Sequence, residues 1–434
     1  MSLSDRSTAD GLIPASRRSG GEFGASLFSS SNPRYLAAGC VLWIAVLIAP
    51  ALTIWNFTVH TNSYIGWLQW AFVVLMAPGL AGRARRSLAH SLTFRALVIG
   101  FLVCMVGWLA QGLPLEAIDR TWFYVVQPLF VVAAVAWFQW AGDGGLRSLY
   151  WAKLAATAGA VIYLFVMLWL SNVSDFDLRN VRPLPIYRHI RHLGYDLAVV
   201  ASLGAVFWAA RPSAHRVLNW LLFMALGYVS LRTGGRGQML NFFAFILIAA
   251  CLLRRLEARA VLLQALVAFV LGAVTLYLVQ PEAVEWFFAK AAGGSAAGVT
   301  SGRTDIWIKV VKLVSSDWLS LLVGLGPEAF ARERIVPGLV QAHNAGAQIL
   351  LEFGLIGVGV IVAALLDLAR KSWPLLHEDR RSNVPNGAAA ALLALFLYSL
   401  VDGIFYHASP FLAVMLLIAY ILSQRVDHGP VSRA

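Results

Sequence analysis

The sequence predicts an all-α polytopic membrane protein with about twelve transmembrane helices and both termini in the cytoplasm. Three observations carry that prediction. Apolar residues make up 59% of the chain and charged residues only 13%, with a mean hydropathy of +0.71, far from the balance of a soluble domain. The apolar residues fall into runs close to the ~20 residues that a helix needs to cross a bilayer. The basic residues gather in every second loop, as they do on the cytoplasmic side of membrane proteins. The formal charge of +12 therefore reads as topology signals and anion ligands, and no nucleic-acid partner is implied.

In chain order, residues 1–34 are Ser/Gly/Arg-rich without an apolar core, which reads as a disordered cytoplasmic tail and not a cleaved leader. The membrane domain, 35–424, carries candidate spans at 35–55, 64–81, 92–112, 121–140, 150–170, 193–210, 217–231, 238–253, 260–279, 344–368, 387–401 and 407–422. Arg83/Arg85/Arg86, Arg147/Lys153, Arg211/Arg216, Arg254/Arg255/Arg259 and Arg370/Lys371/Arg380/Arg381 mark the cytoplasmic loops. Residues 425–434 read as a second cytoplasmic tail. Cys40, Cys104 and Cys251 all lie inside apolar runs, so neither a disulfide framework nor a zinc site is implied.

Two longer segments fall on the outer side, 171–192 and 281–342. The second holds amphipathic stretches such as 305–314, is punctuated by Gly324, Gly326, Pro327, Pro337 and Gly338, and is expected to lie over the outer surface as a partly helical lid. Both segments carry arginines on the side where arginine is scarce. Guanidinium groups that break the charge rule need a reason, and a bidentate anionic ligand such as a phosphate supplies one.

Arg188 and Arg191 are three residues apart, so a helix starting after Pro185 sets them on one face as a clamp for a diphosphate; snorkelling to headgroups is the plainer alternative. Asp175 and Asp177 have the spacing of a weak metal motif or of a solvated turn. Arg236, flanked by Gly234, Gly235 and Gly237, stands where glycine lets backbone approach a ligand, or else in a tight interhelical turn. Arg303 precedes an amphipathic helix that Ser301 or Thr304 could cap, and either binds an anion or pairs with Asp305. His343 is expected at a helix N-terminus, where the dipole favours the neutral imidazole that a general base requires. Asn344, Gln348 and Glu352 follow at four-residue spacing, forming one polar stripe on an apolar helix. They are candidate substrate-binding residues, Glu352 in a supporting role that orients an arginine or Gln348.

In this order, "TGGRGQ", "SGRTDIW", "GLGP" and "HNAGAQILLEFGLIG" resemble the O-antigen ligase family, whose superfamily includes O-antigen polymerases and O-linked oligosaccharyltransferases. The likeness covers roughly the second half of the chain. Family members often carry Ser immediately before the motif arginine, where this chain has Gly235.

The resemblance implies an inner-membrane glycosyltransferase of the C type with its active site facing the periplasm. It would take O-antigen from undecaprenyl pyrophosphate to a lipid A-core sugar, with inversion and without metal or other cofactor. It further implies His343 as base, with Arg191, Arg236 and Arg303 binding pyrophosphate and Arg188 assisting. Its partners would be the lipid-linked donor, the lipid A-core acceptor and membrane lipids. A polymerase would use the same residues. A transporter or flippase for lipid-linked sugars is the alternative from another class.

Overall fold

The computed structural model describes residues 33–52, 65–78, 92–112, 121–170, 190–210, 216–232, 234–253, 256–292, 303–377 and 384–424. Every regular element among them is a helix. In order these are α1 (Pro33–Leu52), α2 (Ile65–Pro78), α3 (Leu92–Ala110), α4 (Thr121–Leu170), α5 (Ile190–Ala210), α6 (Arg216–Arg232), α7 (Arg236–Leu252), α8 (Leu256–Val279) and α9 (Pro281–Ala292). They continue with α10 (Arg303–Val314), α11 (Trp318–Val323), α12 (Ala329–Arg332), α13 (Ala345–His377), α14 (Val384–Ser399), a 3-10 turn (Ile404–Tyr406) and α15 (Ala408–Ser423).

Among the described residues, four helices are long and apolar enough to cross a membrane: α1, α4, α8 and α13. The other apolar helices, α2, α3, α5, α7, α14 and α15, contribute apolar stretches of 10–17 residues. The largest core joins α1, α2, α4 to α8, α14 and α15, with Phe130, Trp208, Phe223, Phe242 and Tyr398 fully buried in it. The outward faces of α3, α7 and α8 are apolar as well, with Val106, Leu247 and Leu278 exposed, a surface suited to lipid.

The spans expected at 121–140 and 150–170 form one helical element, α4, broken only at Gly142 (φ 55°, ψ −150°). No basic loop separates them. Lys153, read from sequence as a loop charge, lies inside the second arm with its Nζ 2.5 Å from Asp196 Oδ1 of α5, both side chains buried. Ser409 of α15 hydrogen-bonds both groups, its Oγ 2.7 Å from the same carboxylate oxygen. A charge rule applied to sequence counts every cation as exposed, and here an acid on a neighbouring helix makes burial possible.

The expected lid is helical where it is described, and it packs into the bundle. α9 lays Ala283, Val284 and Phe287 on Leu231 and Leu276. α11 is wedged between α3 and α13, with Trp108 Nε1 donating to Val323 O at 2.9 Å. The wedge is possible because α13 is interrupted at Gly354 (φ 62°, ψ −161°). An unbroken helix would satisfy the carbonyls of Leu351 and Glu352 four residues on. Here they accept from Leu325 N–H at 2.8 Å and Gly326 N–H at 3.1 Å. Glycine is required on both sides of the contact: Gly324 and Gly354 have positive φ, and a Cβ on either would lie 2.3–2.4 Å from the other segment's backbone.

Candidate functional site

The start of α13 is built by its cap. Asn344 Oδ1 accepts from Ala347 N–H at 2.9 Å, so Asn344 is the N-cap. His343 therefore stands immediately before that cap, in the left-handed region (φ 53°). Histidine tolerates that region better than most side chains, but strain of this kind concentrates at functional sites.

Three contacts hold the residue there. Trp307 Nε1 donates to Ala342 O at 3.0 Å. Ala342 N–H donates to Gln348 Oε1 at 2.9 Å. Asn344 Nδ2 donates to Leu400 O at 2.6 Å, tying the cap to the end of α14.

That turn supplies a residue the sequence did not flag. Asp402 accepts from Gly403 N–H through Oδ1 at 2.8 Å, and the same oxygen lies 3.3 Å from His343 Nδ1. Its Oδ2 lies 3.4 Å from Arg303 Nη2, while Arg303 Nη1 donates to Val401 O. Arg303 thus pairs with Asp402 and not with Asp305. Thr304 lies inside α10, and Ser301 lies outside the described residues.

Burial disfavours the charged form of Asp402. The hydrogen bond from His343 and the Arg303 guanidinium outweigh that penalty, and its carboxyl is held well below the usual carboxylate range. An ionised Asp402 accepts from Nδ1–H of His343, an arrangement that in the neutral imidazole puts the lone pair on Nε2. His343 keeps 20% of its side chain exposed against 7% for Asp402, so the imidazole is the accessible member of the pair.

Gln348 and Glu352 continue the stripe inward, and both are buried. Gln348 Nε2 donates to Glu352 Oε1 at 2.8 Å. Glu352 also accepts from Tyr124 at 2.8 Å, Tyr406 at 3.1 Å and the backbone N–H of Glu328 at 3.2 Å. Asn344, Gln348 and Glu352, expected from sequence to bind substrate, also make hydrogen bonds within the protein, as the two buried members of the stripe must. Of the two supporting partners expected for Glu352, the hydrogen bonds show Gln348.

Other expected residues reach the same end of the bundle. Arg236 opens α7, whose next residue, Gly237, lies so close to Tyr398 that a Cβ would fall 2.2 Å from the ring. Arg191 is in the first turn of α5, which brings His192 within 4.2 Å of the His407 ring and Tyr195 within 5.7 Å of Tyr398, centroid to centroid. Arg188, with Asp175 and Asp177, lies outside the described residues.

The N-termini of α5, α7, α10, α13 and α15 therefore converge around residues 398–407, an arrangement that favours a bound anion. Among the described residues no three His, Cys, Asp or Glu side chains gather as metal ligands do. An accessible imidazole oriented by a carboxylate, with helix N-termini near it, can take a proton from a hydroxyl while a negative leaving group departs.

Asp402 was legible only as an isolated acid before a glycine between two apolar runs; Tyr124 and Tyr406 carried no signal, since aromatic residues are common in such helices. The chain matches no protein-family model and no curated protein.

Proposed function

We propose that this protein is an O-antigen ligase, transferring glycan from undecaprenyl pyrophosphate to a sugar of the lipid A-core at the periplasmic face of the bacterial inner membrane. The His343–Asp402 pair carries the reading, supported by the resemblance of the motifs around it. The proposal includes the finer topology: about twelve spans, both termini in the cytoplasm, and residues 171–192 and 281–342 on the periplasmic side.

In the proposed reaction, Nε2 of His343 takes the proton of an acceptor hydroxyl. The hydroxyl oxygen attacks the anomeric carbon from the face opposite the phosphate, forming one C–O bond as the bond to the pyrophosphate oxygen breaks. The configuration inverts, and undecaprenyl pyrophosphate leaves carrying the electron pair. Asp402 stabilises the imidazolium as it forms. Arg236 and Arg191 meet the growing charge on the pyrophosphate, with Arg188 assisting. Arg303 acts through Asp402, to which it is bound. Asn344 belongs to the frame that orients the base.

The test is complementation of cells lacking their own O-antigen ligase but making its donor and acceptor. Wild type restores a lipopolysaccharide ladder on gels and His343→Ala does not. A ladder with both forms would overturn His343 as the base; a ladder with neither, at normal expression, would overturn ligation.

One observation favours a second reading. The Lys153–Asp196–Ser409 cluster sets charges inside the bundle, as carriers do. A lipid-linked sugar transporter would retain flux in the His343→Ala form and lose it in Lys153→Met.

A further inference from the structure

We infer that a single atom, Oε1 of Glu352, fixes His343 and Asp402 relative to each other, which makes Glu352 a positioning residue. The inference rests on the reading of His343 and Asp402 as the working pair, and extends it to groups that touch neither.

Two arms leave that oxygen. In the first, Oε1 accepts from Gln348 Nε2 at 2.8 Å, and the far end of the same amide accepts from Ala342 N–H at 2.9 Å. Ala342 is the residue before His343, so this arm grips the backbone that holds the imidazole in its left-handed conformation. In the second, Oε1 accepts from the Tyr406 hydroxyl at 3.1 Å. Tyr406 ends the 3-10 turn that follows Asp402, and its N–H donates to Gly403 O at 2.9 Å. The arms also touch each other, Gln348 Nε2 lying 3.2 Å from the Tyr406 hydroxyl. One half of the pair hangs from each arm.

The chemistry explains why a carboxylate stands here. Three donors converge on Oε1, the third being Glu328 N–H at 3.2 Å, while Oε2 accepts from Tyr124 at 2.8 Å. Both ends of the side chain must accept. A carboxylate does so, whereas an amide offers one oxygen and turns an NH2 group towards donors on the other side. A carboxyl group buried to 3% exposure in an apolar helix is costly. Four donors offset part of that cost, and the geometry they produce is what the site gains.

The experiment uses the full chain in membranes, as wild type, Glu352→Gln, Tyr406→Phe and Tyr124→Phe. His343 is carbethoxylated at neutral pH and its modification rate read by peptide mass spectrometry, with the His60 and His90 peptides as internal references. Glycan transfer is followed separately as kcat and KM.

The expected result is a several-fold change in the His343 rate in Glu352→Gln and Tyr406→Phe with the references unmoved, and a smaller change in Tyr124→Phe, whose bond is to the other oxygen. Transfer should lose on the order of 100-fold in kcat with KM little altered, because misplacement of the base acts on the chemical step. An unchanged His343 rate in folded Glu352→Gln or Tyr406→Phe overturns the inference, whatever transfer does. If Glu352→Gln fails to fold, Tyr406→Phe, which removes a single hydroxyl, decides the matter alone. A shifted His343 rate in a protein whose wild type transfers no glycan upholds the positioning role and overturns the proposed function instead.

Discussion

At the scale of single residues, the central fact is a histidine held against its conformational preference beside a carboxylate that stays ionised. His343→Ala should lose about 10²–10⁴-fold in transfer rate, the span that a positioned base contributes. Asp402→Asn should lose less, since the base survives with its tautomer and orientation unguarded; a larger loss in Asp402→Asn than in His343→Ala would refute this division of labour. The depressed proton affinity of Asp402 also links it to folding. A group whose folded value lies below its unfolded one contributes stability above the unfolded value, ~3.9 for Asp, and loses it as pH falls through the folded one. Melting curves of wild type and Asp402→Asn should therefore differ most near neutral pH and converge in acid. Arg236→Lys tests the anion site: an ammonium cannot make the two-pronged contact with phosphate, so transfer should fall markedly although the charge is kept.

At the scale of elements, the interrupted α13 decides where everything else can go. Gly354→Ala places a side chain where φ is positive and where the backbone of Leu322 is already in contact. The conformation alone costs about 1–3 kcal/mol, and the overlap adds to it. A detergent-solubilised Gly354→Ala protein should melt well below wild type, and Gly324→Ala should behave alike because it meets the same contact from the other side. The polar stripe of Asn344, Gln348 and Glu352 was legible because a period of four on a helix is a property of sequence alone. The break at Gly354 was not, since glycine in an apolar helix is common and only the approach of α11 gives this one its conformation. Asp402 was hidden for a similar reason. Its partners, Arg303 and His343, are distant in sequence, and no local pattern announces a contact across two turns.

For the molecule as a whole, composition and periodicity gave the all-helical class and most helix positions, because both depend on how apolar residues are spaced. They misjudged Lys153, because counting loop charges cannot reveal an acid waiting on another helix. Lys153→Met should destabilise the protein by about 3–5 kcal/mol, because it removes the buried ammonium that Asp196 binds. Combining it with Asp196→Leu should recover much of the loss, as judged by melting temperature. If the double variant is no better than the single, the pair is not what holds α4 to α5.

The exchange of hydrogen bonds between Leu325–Gly326 and Leu351–Glu352 has a practical consequence for recombining such proteins. A connecting segment between helices can ordinarily be transplanted with only its ends matched. Here the stretch 322–326 does the work of a missing helical turn, so it and 351–354 form one cassette although some two dozen residues separate them. A chimera that swaps the loop alone inherits half a joint, and a functional hybrid must carry both halves from the same parent.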